Sequence, residues 1–416
     1  MIYSRRPCRS CGDRLDPLVD LGSIALTGFP APDEEDREKV PLVLCACRSC
    51  KLVQLQHTVV RDQLFRRYWY RSGINERMCA ELANVVDEAC ARIGPFEAGD
   101  AVLDTGANDG TLLANYTAHN PHVLRVAYEP AANLQDRLHE HAQLVVPDYF
   151  PEEYRAVKGL EGRVKIITSI AMIYGVDDLA PFFTAVAQLL HQDGIWIVQF
   201  QDLDAMLRAT AFDNVCHEHL YYFSLQSFMA LLPPYGLRVI DAQRRGINGG
   251  SLRLTIAHRH HAESPRVSAL LAQEAGCQDW ATLEGFDAKV RTTITQIRGA
   301  LSAWRTHDAA VDLYGASTKA NTLLQVCGLN DLWLRWAWER SPEKVGRRTV
   351  GSGIPIVSEE DGRDDPPAAL FVGIWQFRDV VLAREQAFLT QGGTVIFPLP
   401  TVDQVSTQRE RHHAAG

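Results

Sequence analysis

The stretch 102–113, VLDTGANDGTLL, constrains this chain most. A short apolar run turns through two glycines and resumes in helix-forming residues, which predicts strand, tight loop and helix. Gly106 and Gly110 remove side chains where a backbone must pass close to a ligand. About twenty residues on, Arg125–Glu129 predicts a second strand that ends in an acid. Glu129 there is placed to accept hydrogen bonds from ribose hydroxyls. These features predict the nucleoside-binding half of a doubly wound sheet. The loop is not a dinucleotide fingerprint, because its glycines lack the Gly-x-Gly-x-x-Gly spacing and Asp104, Asn108 and Asp109 would repel phosphate. An acidic loop suits a cationic cofactor without phosphate, and S-adenosylmethionine carries both a sulfonium and an ammonium group. The alternative is an ordinary strand–turn–helix with solvated acids.

The chain has 416 residues, enough for two or three domains, and its 46% apolar and 22% charged content describes a soluble globular protein. No apolar run approaches membrane-span length, so no membrane association is expected. The formal net charge of −9 argues against nucleic acid as a partner. Met1–Arg6 lacks the apolar core of a secretory signal, and ten cysteines without one lead us to expect a reducing cytoplasm. In that setting Cys8, Cys11, Cys47 and Cys50, two Cys-x-x-Cys pairs, are expected to wrap one tetrahedral Zn²⁺ ion. Four thiolates leave no open coordination position, so the metal would be structural. Cys45, in an apolar alternation, reads instead as a buried strand residue.

Residues 61–78 carry an aromatic and basic cluster that includes Tyr68 and Tyr70. It reads either as a connector packing its rings on the next domain or as a lid whose tyrosines line a polar site. An amphipathic helix is predicted from Met78 to about Ile93. Arg163–Thr168 and Gly194–Gln201 predict further strands, and the loop from Ser169 to Asp178 lies on the carboxyl edge where open α/β sheets bind ligands. Ser169 is accordingly a candidate cofactor contact. Asn214–Phe223 is chemically the densest segment, with His217, Glu218 and His219 followed by Tyr221 and Tyr222. Its histidines are two apart, not at the His-Glu-x-x-His spacing of a zinc-protease helix, so general acid/base work suits them better. A polar surface loop is the plainer alternative.

Gly246–Arg253 predicts a glycine-rich turn entering a strand, either a bare hairpin or a backbone pressed onto substrate. Residues 264–305 predict a helical connector. From Ala310 a strand again runs into a small-residue loop and a helix, and Ser317, Thr318 and Lys319 at the helix start suit a phosphate. Strands are predicted at Leu332–Trp338 and Ala368–Ile374, and Arg409–Gly416 reads as a tail. The fold class expected is α/β. A zinc-binding domain (1–60) precedes a cofactor-binding domain (61–258), a helical connector (259–305) and a second Rossmann-like domain (306–416).

In their order these motifs resemble one family, the three-domain sugar C-methyltransferases that act on nucleotide-linked 4-keto deoxysugars in natural-product biosynthesis. The likeness is carried by the paired cysteines followed by KLVQL (51–55), the Tyr-x-Tyr-x-Ser-Gly stretch (68–73), NDGTLL (108–113), His217-Glu218-His219, Gly249-Gly250-Ser251, YGASTK (314–319) and Asn321-Thr322-Leu323-Leu324. The resemblance implies S-adenosylmethionine as methyl donor and an enolate made by a histidine base, which maps to His219. Glu218, His217 and a lid tyrosine, Tyr70 or Tyr68, would complete the site. The last domain would hold the nucleotide diphosphate, expected as dTDP, through Ser317, Thr318, Lys319 and Asn321. Tyr222 falls at the acceptor site. The chain departs from the family at Cys216, often a tyrosine, and at Asn248, often a histidine. Its 172–175 loop also lacks an expected histidine. Methylation of oxygen or nitrogen on another small metabolite, or a catalytically altered member, is the alternative. The oligomeric state is left open.

Overall fold

Leu15–Ala25 and Lys39–Cys47, the latter buried continuously from Leu42 to Cys47, form an antiparallel sheet with Val53–Leu55. The fourth strand of that sheet is Tyr221–Tyr222, from far along the chain, which pairs antiparallel with Val53 and Gln54. The computed structural model describes residues 2–407, so the segment Arg409–Gly416 lies outside the described residues.

The central sheet has seven strands in the order Leu237–Arg245, Ser251–His258, Leu190–Gln201, Val164–Ile170, Ala101–Asp104, Leu124–Tyr128 and Leu144–Val146. Only Ser251–His258 runs against the rest. Strand Leu190–Gln201 is apolar on both faces because both are covered. Ile195 and Ile197 join the core under helix Glu76–Ile93, while Trp196 and Val198 join the core under helix Leu179–Leu189. Helix Glu76–Ile93 starts where the Asn75 side chain accepts from the amides of Arg77 and Met78, and it stops at Gly94 with φ of 77°. Met78, Leu82, Val85, Val86 and Ala89 form its buried stripe.

A third sheet has six strands, Ile356–Ser358, Ala337–Glu339, Val311–Tyr314, Ala369–Val372, Thr394–Phe397 and Asp403–Val405, all parallel but the last. The chain is therefore a small cysteine-bearing N-terminal sheet followed by two doubly wound α/β units. Among the described residues no helix is long and apolar enough to cross a membrane.

Three elements differ from the sequence reading. The connector is two helices, Pro265–Gln273 and Trp280–Arg305, separated at Gly276, whose φ of 86° no helix accommodates. The strand expected over Leu332–Trp338 shrinks to Ala337–Glu339, because Asn330 gathers the amides of Leu332, Trp333 and Leu334 into a turn. The helix after Gly110 is one turn, Thr111–Ala114, followed by a second short turn, Tyr116–His119.

Candidate active site

Asp104 and Glu129 close neighbouring parallel strands on the carboxyl edge of the central sheet. Both are buried, at 3% and 7% exposure. Thr168 Oγ1 donates to Asp104 at 2.9 Å, and the amides of Asn108 and Ala131 donate to Glu129 at 2.8 and 2.9 Å. Burial pushes each carboxyl up to about 7, and each has a nearby acid adding to the shift, Glu129 for Asp104 and Asp109 for Glu129. A crowded set of acids short of positive charge fits a cationic ligand, which is the chemistry of S-adenosylmethionine. Asn108 and Gly110 both have positive φ, and a Cβ at Gly110 would lie 3.0 Å from the His141 ring, so glycine is required there. Gly106 instead makes room for Met172, whose Cγ would be 3.0 Å from a Cβ. Ser169 is fully buried below this edge, where its hydroxyl meets Thr105 Oγ1 and Trp196 Nε1 at 2.7 and 2.9 Å.

The aromatic segment lies across this edge as a strap. Asn108 binds the Tyr70 carbonyl and the Ser72 amide, Asp109 accepts from the Gly73 amide, and Asn133 makes both an acceptor and a donor bond to the Tyr68 backbone. Trp69 packs edge-on against Phe29 and sits between Arg67 and Arg347. Tyr68 faces inward, and its phenol is raised by burial with Glu218 and Cys216 adding to the shift. Tyr70 is 40% exposed. The segment thus packs its indole on neighbouring units, as a connector would, and covers the acidic loop, as a lid would.

His217, Glu218 and His219 lie in neither helix nor strand but in the turn between Phe212–Asn214 and strand Tyr221–Tyr222. The turn sends the two histidines to different places. His217 is buried with Nε2 on the Val40 carbonyl at 3.1 Å, and burial pulls it down to about 4. His219 Nδ1 meets the Asn214 carbonyl at 3.1 Å, so Nδ1 carries the proton and Nε2 keeps its lone pair. Tyr222 hydroxyl reaches the same carbonyl at 3.4 Å. The Tyr174 ring packs against the imidazole at a tilt of 57°, with ring centroids 4.1 Å apart. Burial, then the Lys319 charge, pulls His219 down to about 3. Glu218 is buried with its carboxyl raised by that burial, and the thiol of neighbouring Cys216 is raised by the same cause.

The third unit reaches into this cluster. Lys319 Nζ donates to the Asn248 carbonyl at 3.0 Å beside Asp213, whose other neighbour is Trp375 Nε1 at 2.7 Å. Asn248, Gly249 and Gly250 form the turn of a hairpin between strands Leu237–Arg245 and Ser251–His258. Ser317 caps its own helix by accepting from the Ala320 amide, Thr318 opens that helix, and Asn321 donates to the Gly28 carbonyl. Four buried acceptor atoms in this region, on Asp213, Asn214, Glu218 and Asn321, have no partner among the described residues. Sequence reasoning did not single out Tyr174 or Asp213. Only the place of Tyr174 on a carboxyl-edge loop signals it.

The four expected zinc ligands converge. Cys8 and Cys50 sulfurs lie 3.5 Å apart, those of Cys11 and Cys47 3.4 Å apart, and all four fall within 4.8 Å of one another. Tetrahedral zinc sets thiolate sulfurs about 3.8 Å apart, so the set fits that ion. Each pair closes a knuckle, with the Gly12 amide on the Cys8 carbonyl and the Lys51 amide on the Cys47 carbonyl, both at 2.8 Å. Gln54 also donates to the Cys8 sulfur at 3.2 Å. Cys45 lies outside the set, a buried strand residue whose thiol burial pushes up to about 12.

Comparison with known proteins matches three successive family models: a zinc binding domain over residues 8–65, a methyltransferase domain over 70–242 and a C-methyltransferase C-terminal domain over 246–400. C-methyltransferase NovU of Streptomyces niveus is 30% identical over 415 residues, covering 96% of this chain and 97% of that protein. Among solved structures, mitomycin 7-O-methyltransferase MmcR is 16% identical with a TM-score of 0.34, over 44% of this chain and 55% of its own. Magnesium protoporphyrin IX methyltransferase of Synechocystis PCC 6803 is 11% identical with a TM-score of 0.32, over 43% of this chain and 79% of its own.

Proposed function

This chain belongs to the S-adenosylmethionine-dependent C-methyltransferases that carry a zinc-binding N-terminal domain, and from that membership we propose that it methylates a carbon next to the ketone of a nucleotide-linked 4-keto deoxysugar. The observation that carries this reading is the free Nε2 of His219, held in one tautomer by the Asn214 carbonyl and surrounded by buried acceptors that lack partners. An unpaired buried acceptor costs about 1–3 kcal/mol, so the cleft favours a ligand rich in hydroxyl donors, as a sugar is.

His219 Nε2 removes the proton on the carbon beside the ketone, and the electron pair moves to the ketone oxygen as an enolate. Lys319 sits close enough to His219 to lower its pKa, and Tyr174 and Tyr68 share the same cluster. These three supply the positive charge and donors that a forming oxyanion needs. Bound S-adenosylmethionine supplies an electrophilic methyl group for the enolate carbon. Asp104 and Glu129 would hold this cofactor, and the strap over residues 66–73 would keep water from the enolate. His217 is a positioning residue in this scheme, because its ring ties the turn to Val40.

The test is solvent exchange. The enzyme, given a dTDP-4-keto-6-deoxysugar in D₂O without methyl donor, is expected to place deuterium at one ring carbon. With a deuterated methyl donor it is expected to form a carbon-linked product that is stable to mild acid. Methyl transfer to oxygen or nitrogen without ring exchange would replace this reading with heteroatom methylation.

A further inference from the structure

On the opposite edge of the central sheet from the proposed active site, five titratable side chains gather around an irregular strand start and a turn. Strand Leu190–Gln201 begins with an irregularity between Leu190 and Ile195, and strand Ser251–His258 ends beside it in the turn 259–261. His191 and Asp193 come from the irregular strand start, His258 from the end of the second strand, and His260 and His261 from the turn after it. One ligand atom each from Asp193, His260 and His261 lie within 4.8 Å of one another. Ligand atoms of one tetrahedral ion lie about 3.3 Å apart, and Asp193 and His260 are exposed, so their side chains are free to turn inward to that spacing.

We propose that Asp193, His260 and His261 form a surface site for a divalent transition-metal ion, a second metal site distinct from the four-thiolate site. Two imidazoles and a carboxylate are a donor set for zinc, nickel or copper(II), not for calcium or magnesium, which take oxygen ligands. His261 is oriented as a ligand is. Its Nε2 meets the Gln192 carbonyl at 2.9 Å, which fixes the proton on Nε2 and leaves Nδ1 with a lone pair. The same kind of tie holds His258, whose Nε2 meets the Leu190 carbonyl at 3.3 Å, and the His258 ring stacks parallel to that of His260. The His261 amide closes the turn onto the His258 carbonyl at 3.1 Å, which keeps His260 and His261 side by side with ring centroids 4.3 Å apart. Three protein ligands leave coordination positions for water. A bound ion would join the start of strand Leu190–Gln201 to the end of strand Ser251–His258.

The experiment uses the full chain with its thiolate site already filled with zinc. Equilibrium dialysis against zinc, and separately against nickel, followed by metal analysis, is expected to give one ion per chain more for the wild type than for His260→Ala/His261→Ala. Asp193→Ala is expected to weaken the extra site without abolishing it. Zinc is expected to raise the melting temperature of the wild type and not of the double variant. All these substitutions lie at or near the surface, and unchanged far-ultraviolet circular dichroism identifies folded variants. A wild type that takes up no extra ion, or a double variant that keeps it, overturns the proposal. Neither result depends on methyl transfer.

Discussion

In the proposed mechanism His219 is the residue whose removal is expected to separate binding from chemistry. His219→Ala deletes the free Nε2 and leaves Asp104 and Glu129 in place, so S-adenosylmethionine affinity is expected to hold by calorimetry. Turnover is expected to fall by about 10²–10⁴, the usual contribution of a positioned base. Unchanged turnover would put the base elsewhere. The acids predict a pH dependence of cofactor binding. Burial raises Asp104 and Glu129 to about 7, so in the free protein both shed charge as pH falls through that value. A cationic ligand binds the ionised forms, so its affinity is expected to rise between pH 6 and 8. Calorimetry at these pH values checks this, and a flat profile would show that the acids do not meet the cation. The positions of these acids are legible in the sequence, because an acid that ends a short apolar run takes the carboxyl edge. The different surroundings of His217 and His219 are not. They arise from an irregular turn whose carbonyl partners, Val40 and Asn214, lie on different elements. The Tyr174 ring contact with His219 is equally silent in sequence, since it joins residues forty-five positions apart.

At the scale of elements, the strap over residues 66–73 owes its position to side chains on other elements rather than to its own pattern. Asn133 alone makes two hydrogen bonds to the Tyr68 backbone, and Arg71 pairs with Glu343 of the third unit. Asn133→Ala removes both backbone bonds at a cost of roughly 1–3 kcal/mol to the closed strap, at about 1 kcal/mol each. Amide exchange in 66–73 is expected to quicken and the cofactor to dissociate faster, with little change in melting temperature because the core is untouched. Hydrogen exchange with mass spectrometry reads the first effect and a dissociation rate the second. Exchange no faster than in the wild type would mean the strap is held elsewhere. The aromatic run is visible in the sequence and its two readings are not exclusive, since one face packs Trp69 on Phe29 while the backbone covers the acidic loop. Periodicity alone does not resolve this, because the segment is neither helix nor strand over most of its length.

At the scale of the whole molecule, the N-terminal sheet is structurally continuous with the proposed active site. Strand Tyr221–Tyr222 directly follows His217-Glu218-His219 and completes that sheet against Val53–Leu55. His217 is tied to Val40, Tyr221 hydroxyl and buried Arg9 both meet Asp177, and Gln325 of the third unit exchanges hydrogen bonds with Ala25. No local pattern announces these contacts, which join residues from 44 to 300 positions apart, whereas the cysteine spacing announces the metal set by itself. Together they predict that the zinc supports turnover from a distance. Cys11 is the exposed ligand, so Cys11→Ser opens the thiolate set without leaving a hole in the core. Structural zinc contributes about 10–16 kcal/mol to folding of the segment it binds, and losing it is expected to release the sheet and with it the 217–219 turn. Zinc content and turnover are then expected to fall together. Cofactor binding is expected to persist, because Asp104 and Glu129 stand on central-sheet strands that pair only within their own sheet. Cys45→Ala, in the same sheet but outside the ligand set, is expected to keep both zinc and turnover. Full turnover in a zinc-free Cys11→Ser protein would mean the turn is held by its own unit, and the N-terminal sheet would then be an appendage to the chemistry.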